Sequence, residues 1–190
     1  TLLGPNANID PCNDLRAPEA VIVPAIADFN GISAYSIIDV QASNVTIKGF
    51  TIDGDNPAIN TGYSSTNGAD IDIAVGITRY VTGDNINISN NIVQNLSYFG
   101  LELYDYPAGI PSSSNIISNN KISDLGSYDN SPGGLPFWGG GVLLYNNQYA
   151  SVSNNCMTNV RIGIQTGNFF QANPGGSTYQ LLDGNTIQAR

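Results

Sequence analysis

The sequence of 190 residues contains no histidine, and it has only two cysteines, one methionine and one tryptophan. Without histidine, the chain cannot form a Ser-His-Asp or Cys-His nucleophile, or a zinc site that depends on imidazole. Charge is also scarce, because six cationic side chains face 15 anionic ones and the formal net charge is −9. Scattered negative charge disfavours nucleic acid and anionic membranes as partners, and no apolar run is long enough to span a bilayer.

In place of these groups, the sequence repeats one short phrase five times, at residues 45–52, 86–93, 115–122, 150–157 and 180–187. Each phrase is a strand rich in β-branched residues, a Gly or Asn corner, and one more apolar residue. Two columns are apolar in every copy, so both are expected to face a core. The first column holds Ile47, Ile88, Ile117, Val152 and Leu182, and the second holds Ile52, Val93, Ile122, Met157 and Ile187. Leu2-Leu3-Gly4 resembles a sixth, shortened copy.

The corner of the phrase alternates between two residue types, Gly49, Asn90, Asn119, Asn154 and Gly184. Glycine and asparagine enter the left-handed region at the lowest cost, so the column predicts a chain corner with positive φ. The next column holds Asn91, Asn120, Asn155 and Asn185, with Phe50 in the first full copy. Stacked amides can hydrogen-bond to their copies above and below, which predicts a buried ladder that ends at Phe50.

Repeated strands with a fixed corner predict an all-β solenoid of about six turns, the first incomplete, with loops of unequal length. The phrases resemble the parallel β-helix repeat of the right-handed, pectate-lyase-like superfamily. The resemblance implies a single right-handed parallel β-helix over residues 1–190. Because the fifth phrase lies next to the last residue and no capping helix is visible, we expect a fragment of a longer chain. The superfamily contains lyases, hydrolases, adhesins and tailspikes, so the fold does not determine the function.

The two cysteines, Cys12 and Cys156, lie near corners that are four turns apart. That separation is roughly 19 Å at about 4.8 Å per turn, whereas a disulfide needs Cα atoms within about 7 Å. We therefore expect free thiols, or partners outside this chain, unless the loop that carries Cys12 runs along the solenoid axis.

Four aspartates are candidate metal ligands. Asp53 and Asp55 flank Gly54 in a turn that is similar to a calcium-binding loop, and Asp70 and Asp72 share one face of a strand. If the chain binds a metal, Ca²⁺ is the expected ion. The alternatives are turns in which Asp bonds to its own backbone, and an ordinary solvated strand face.

A second pattern places tyrosines on one outer face. Strands that begin at Gly76, Gly100 and Gly141 each carry a tyrosine four residues later, namely Tyr80, Tyr104 and Tyr145. Alternation along a strand puts all three side chains outward. Such a column either packs for stability or forms an aromatic strip that stacks on sugar rings.

If the tyrosines form a sugar-binding strip, Glu102 and Asp105 are expected on the same face as acceptors for sugar hydroxyls, and Trp138 is expected to wall the groove. Because these two side chains are acidic, a neutral glycan is the expected ligand unless a cation bridges.

Three functions remain open at this point. The first is a secreted or cell-surface β-helix module with a structural or adhesive role that recognises a polysaccharide or glycan. The second is a fragment of a polysaccharide lyase or glycoside hydrolase, although no catalytic constellation is recognisable. The third is an architectural solenoid that assembles end to end with neighbouring turns. The aromatic column favours the first, with an extracellular location.

Overall fold

The computed structural model describes residues 1–28, 35–61, 63–65, 67–81, 83–105, 114–126, 139–145, 149–167 and 180–189. Within these ranges the protein is all-β and contains no helix, as the repeated phrases predict. It follows that these ranges contain no helix long and apolar enough to cross a membrane.

The described residues form 17 strands that all pair in parallel through three sheets. In chain order the strands are β1 (Leu2–Leu3), β2 (Val21–Ile22), β3 (Ser36–Asp39), β4 (Thr46–Lys48), β5 (Thr51–Asp53), β6 (Val75–Arg79), β7 (Asn87–Ser89), β8 (Ile92–Leu96), β9 (Phe99–Tyr104), β10 (Ile116–Ser118), β11 (Lys121–Leu125), β12 (Gly140–Tyr145), β13 (Ser151–Ser153), β14 (Cys156–Val160), β15 (Ile162–Gly167), β16 (Leu181–Asp183) and β17 (Thr186–Ala189).

Successive strands enter the three sheets in rotation. The first sheet has the order β1-β4-β7-β10-β13-β16, the second β2-β5-β8-β11-β14-β17, and the third β3-β6-β9-β12-β15. Each passage through the three sheets is one turn, so the chain forms a three-sided solenoid that is consistent with a parallel β-helix. Leu2 pairs with Ile47 and Leu3 with Lys48, which confirms that the chain begins with a shortened copy of the phrase.

The two apolar columns form the core. Ile47, Ile88, Ile117 and Val152 are at most 1% exposed, and so are Ile52, Val93, Ile122 and Met157. At the end of the stack, by contrast, Leu182 is 49% exposed and Ile187 is 46% exposed. Each interior turn therefore buries its apolar side chains against the turns on both sides, whereas residues 180–189 have a described turn on one side only.

The predicted corners are confirmed. The backbone φ is 57° at Asn90, 53° at Asn119 and 54° at Asn154, and Gly49 and Gly184 are also positive. Two further columns of left-handed corners were not predicted. Asn44, Asn85, Ser114 and Tyr149 precede strands of the first sheet, and Asn95, Asp124 and Asn159 lie at or near the end of strands of the second sheet.

The asparagine ladder is also confirmed, and three of its rungs are fully buried. The Nδ2 of Asn120 donates to the Oδ1 of Asn155 at 3.0 Å and to the carbonyl of Ile88 at 3.0 Å, and the backbone N–H of Asn120 donates to the same Oδ1. Asn91 repeats this pattern one turn earlier, and Asn155 does so with Asn185 one turn later. Each rung therefore joins three consecutive turns.

The ladder stops where the sequence departs from asparagine. The backbone N–H of Phe50 donates to the Oδ1 of Asn91 at 3.1 Å, and the Phe50 side chain is half-buried against the core. At the other end Asn185 is only half-buried, because it belongs to the exposed last turn.

The expectation of free thiols is wrong, because Cys12 and Cys156 form a disulfide with their Cα atoms 5.9 Å apart. The N-terminal segment runs along the corner column rather than staying in its own turn. The carbonyl of Ala7 accepts a hydrogen bond from the Nδ2 of Asn90 at 2.7 Å, and the Sγ of Cys12 lies 3.5 Å from the carbonyl oxygen of Asn120. Because the N-terminal segment crosses several turns in this way, Cys12 comes to lie next to Cys156.

Replacing the central rung of the ladder should destabilise the protein. Asn120→Leu removes the Oδ1 that accepts the backbone and side-chain amides of Asn91, and it removes the Nδ2 that donates to the Oδ1 of Asn155 and to the carbonyl of Ile88. We expect a loss of roughly 1–3 kcal/mol in the free energy of unfolding, measured by denaturant titration. Asn13→Leu is the matched control at an exposed position, where a change within about 0.5 kcal/mol is expected. Equal effects of the two substitutions would contradict the structural role of the ladder.

Candidate functional site

The candidate site is the outer face of the third sheet. Register places Tyr80, Tyr104 and Tyr145 in one row, since Tyr104 pairs with Tyr145 and Arg79 pairs with Leu103. Glu102 lies two residues before Tyr104 on the same strand, and it pairs with Thr78 on one side and Leu143 on the other. The parallel register of the third sheet thus confirms that the three tyrosines align.

Glycines at the start of these strands bring the sheet close to the core. A Cβ at Gly100 would lie 2.9 Å from a methyl carbon of Ile122, and one at Gly141 would lie 2.5 Å from the sulfur of Met157. Only a residue without a side chain fits at these positions, because the second sheet's side chains fill the space. The recurrent glycine that revealed the tyrosine pattern therefore has a packing cause.

The rings form a continuous tilted row. Centroids of Tyr80 and Tyr104 are 5.5 Å apart with planes at 36°, and those of Tyr104 and Tyr145 are 5.5 Å apart at 79°. Tyr35 extends the row, 5.6 Å from Tyr80 at 65°. These four residues are called the tyrosine column below. The rings do not form a flat strip, because they adopt the tilted and edge-to-face contacts that aromatic quadrupoles favour.

The tyrosine pattern was not extended to Tyr35, although Gly31 precedes it by the same four residues. That spacing is the signal that could have identified it. Tyr80 is 40% exposed, and Tyr35, Tyr104 and Tyr145 are half-buried. The tyrosine column is therefore accessible, at least in part, from one side of the solenoid.

Glu102 lies beneath the tyrosine column rather than on its surface. It is only 4% exposed, its Oε2 accepts the hydroxyl of Tyr35 at 2.8 Å, and its Oε1 accepts the hydroxyl of Tyr80 at 3.0 Å. Burial raises the pKa of the Glu102 carboxyl, and the two phenol hydrogen bonds partly offset this rise. The expectation that Glu102 is an exposed acceptor is wrong, because alternation places it outward while the tyrosines cover it.

The charge of Glu102 also raises the pKa values of the surrounding tyrosines. Burial first, and then the Glu102 carboxylate, raises the pKa of Tyr35 and of Tyr80 well above the ordinary tyrosine value. The same two causes raise the pKa of Tyr98 to about 12. All three tyrosines therefore stay protonated at neutral pH, and the hydroxyls of Tyr35 and Tyr80 donate to Glu102.

Asp105 is likewise absent from the outer surface. It is 1% exposed and forms an ion pair with the Nη2 of Arg79, which is itself fully buried. The Nη1 of Arg79 donates to the carbonyl of Gly83 at 2.6 Å. The expectation that Asp105 accepts hydrogen bonds from a ligand on this face is wrong, because the carboxylate is used to compensate a buried cation. Trp138, the expected wall of the groove, lies outside the described residues.

Of the four candidate metal ligands, Asp53 and Asp55 lie in one turn. The Oδ1 of Asp53 accepts the backbone N–H of Asp55 at 3.1 Å and the Nδ2 of Asn95 at 2.7 Å, and its Oδ2 accepts the Nε2 of Gln94 at 2.7 Å. Burial raises the pKa of Asp55, and the neighbouring Asp53 charge adds to this effect. The Asp53 carboxylate thus links its own turn to the next one.

Asp70 and Asp72 also bind neighbouring backbone and hydroxyl groups. Asp70 accepts the backbone N–H and the hydroxyl of Thr61, both at 2.8 Å, and the Oδ2 of Asp72 accepts the N–H of Asn56 at 2.8 Å. Burial is the main cause that raises the pKa of Asp72. In the part of the chain that the structure describes, no group of three or more acidic, histidine or cysteine side chains is arranged to hold a metal ion.

Comparisons of the chain with protein-family models, with curated proteins and with solved structures found no match. The chemistry of the site therefore has to be inferred from its geometry. That geometry combines aromatic rings reachable from solvent with a buried carboxylate that holds two of their hydroxyls. It can offer apolar ring faces and fixed polar atoms to a ligand.

The pKa values of the two glutamates, Glu19 and Glu102, should be shifted in opposite directions from the ordinary value. They are the only glutamates in the chain, so a protein labelled with ¹³C at the glutamate carboxyl carbon gives two NMR signals. Hydrogen bonds from Arg16 lower the pKa of Glu19, whereas burial raises that of Glu102, and Glu19→Gln assigns the signals. A Glu102 pKa at or below the Glu19 value would contradict its buried position.

The raised pKa of Glu102 determines how this residue's contribution to stability changes with pH. A folded pKa above the unfolded value of about 4.3 means that the native state holds the Glu102 proton more tightly. The stabilisation from protonated Glu102 is complete below the unfolded pKa and is lost as the pH rises through the folded pKa. Glu102→Gln should remove this part of the pH dependence of the melting temperature.

Proposed function

We propose that the chain is a module of a right-handed parallel β-helix, outside the cell or at its surface, and that its tyrosine column recognises glycans. In this proposal the module has about six turns, the first incomplete, and shares the fold of the pectate-lyase-like superfamily. The six strands in each of the first and second sheets support this number of turns. Parallel strands joined through a crossover are right-handed in nearly all proteins, which supports the handedness.

The disulfide supports an extracellular location. Cys12 and Cys156 are joined in the structure, and structural disulfides persist mainly in oxidising compartments such as the cell exterior. The acidic, weakly charged composition is compatible with the same setting. The disulfide also holds the N-terminal segment along the corner column, on a different side of the solenoid from the tyrosine column.

The observation that carries the proposal is the continuous ring contact of four tyrosines, three of them at one level of the third sheet, of which Tyr80 is 40% exposed. Aromatic faces match the apolar faces of pyranose rings, and precisely placed polar atoms fix the orientation of a bound ligand. Hydrogen bonds from Tyr35 and Tyr80 to Glu102 restrain those two rings before any ligand arrives. A restrained surface loses less conformational entropy when it binds.

A lyase or hydrolase receives less support from the described residues. Glycosidases need two carboxyl groups that reach the substrate from either side of the scissile bond. Here Glu102 is covered by tyrosines and Asp105 is held in a buried ion pair with Arg79. Neither carboxyl group can approach a sugar without rearrangement of the face.

The alternative proposal is an architectural role, in which solenoids stack end to end. Sedimentation velocity over a range of concentrations distinguishes this role, because end-to-end assembly predicts growing filaments and glycan recognition does not require them.

The test of glycan recognition is Tyr104→Ala, which removes the ring in contact with both Tyr80 and Tyr145. Binding to glycan arrays, followed by calorimetry on the best ligand, should weaken by about tenfold, the equivalent of about 1.4 kcal/mol. Tyr149→Ala is the matched control, since Tyr149 is 53% exposed but lies at a corner before the first sheet.

Both variants should keep a melting temperature close to that of the parent protein. If Tyr104→Ala binds every array ligand as tightly as the parent does, the tyrosine column serves only for packing and the proposal fails.

A further inference from the structure

The hydroxyl groups of Tyr35 and Tyr80, at one end of the tyrosine column, both donate their hydrogen bonds inward to Glu102. A phenol has one proton to donate, and at a pH above its pKa the Glu102 carboxylate can only accept. Both oxygens of Glu102 are occupied, one by Tyr35 at 2.8 Å and one by Tyr80 at 3.0 Å. Each of these two phenols therefore donates its one hydrogen bond toward the interior, and its oxygen can only accept hydrogen bonds from other partners.

Nothing else in the described part of the face supplies a positive charge to this end. Neither ion pair of the described residues includes Glu102, and the guanidinium of Arg79 is buried against Asp105. Anionic groups need donors or cations, whereas sugar hydroxyls can donate to an acceptor. A face that presents acceptors thus favours ligands rich in hydroxyl groups over ligands that carry carboxylates or sulfates.

We propose that Glu102 is a specificity-determining residue, which selects neutral glycans by drawing the hydroxyl protons of Tyr35 and Tyr80 inward. This inference rests on the proposed glycan recognition and adds the residue that sets the preference for a neutral glycan. Glu102 acts through the two tyrosines and does not touch the ligand, so it is a positioning residue. The acceptor character that it gives to Tyr80 is what a ligand would meet.

The experiment compares two ligands that differ at one position of every ring. Cellohexaose carries a hydroxymethyl group on each glucose, and its C6-oxidised form carries a carboxylate there. Affinities of the parent protein for both are measured by calorimetry in 0.15 M salt and again in 0.5 M salt, where screening weakens long-range repulsion between exposed charges. We expect the parent to bind cellohexaose at least about tenfold more tightly, a difference of about 1.4 kcal/mol, in both salts.

Glu102→Gln tests the hydroxyl direction. A glutamine amide accepts from one tyrosine but donates to the other, so one phenol recovers its proton for an outside acceptor. The preference for cellohexaose should fall by about tenfold or more. Asp39→Asn is the matched control, because this substitution also removes one negative charge. Asp39 is exposed and lies at the same level of the third sheet as Glu102, since both pair with Thr78. The control substitution should change the preference by less than about threefold.

Tyr80→Phe is a second variant that keeps the ring and the Glu102 charge but removes the acceptor oxygen. It should weaken binding of cellohexaose and reduce the preference over the oxidised ligand. Raman spectra of the unliganded proteins provide a readout that needs no glycan, since the tyrosine doublet reports whether a phenol donates or accepts. Glu102→Gln should shift that doublet, and Asp39→Asn should leave it unchanged.

The outcomes separate the two proposals. If Glu102→Gln keeps the full preference for cellohexaose while Tyr104→Ala abolishes binding, the role of Glu102 is refuted and glycan recognition stands. A parent protein that binds both ligands equally also refutes the role of Glu102. If the parent binds neither of these ligands nor any glycan of the array, glycan recognition itself fails and the inference fails with it.

Discussion

The buried asparagine ladder is the interaction on which the rest of the structure depends. An amide that is buried without partners is costly, and here each interior rung satisfies its groups only by bonding to the turns before and after it. A shift of one residue in any turn would leave amides unpaired and expose an apolar column. The ladder therefore sets the register between turns, which the apolar columns alone specify less strictly.

The register is what creates the candidate site. Because the turns stack without slippage, tyrosines that are far apart in the chain meet in one row, and recurrent glycines let the third sheet pack closely against side chains of the second sheet. Glu102 then joins the row to the sheet beneath it through Tyr35 and Tyr80. The proposed recognition surface is thus a consequence of solenoid stacking combined with one buried carboxylate.

Features that repeat could be predicted from the sequence, and features that depend on single, non-repeating contacts could not. The positive φ of Asn119 and the burial of Asn120 follow from residue types that recur in fixed columns. The bond between Cys12 and Cys156 depends on the path of an N-terminal segment that belongs to no repeat. Alternation correctly placed Glu102 outward, but it could not show that neighbouring tyrosines cover this side chain.

The central claim is that one face of the solenoid, the tyrosine column, receives a glycan. The most direct measurement is NMR of the protein labelled with ¹³C in its ten tyrosine rings, titrated with cellohexaose or with the best ligand of the array. The account predicts that the ring signals of Tyr80, Tyr104 and Tyr145 shift together along one binding isotherm, while those of Tyr63 and Tyr149 stay in place. Saturable shifts confined to Tyr63 or Tyr149, or no shift in the column at ligand concentrations that occupy the protein, would contradict it.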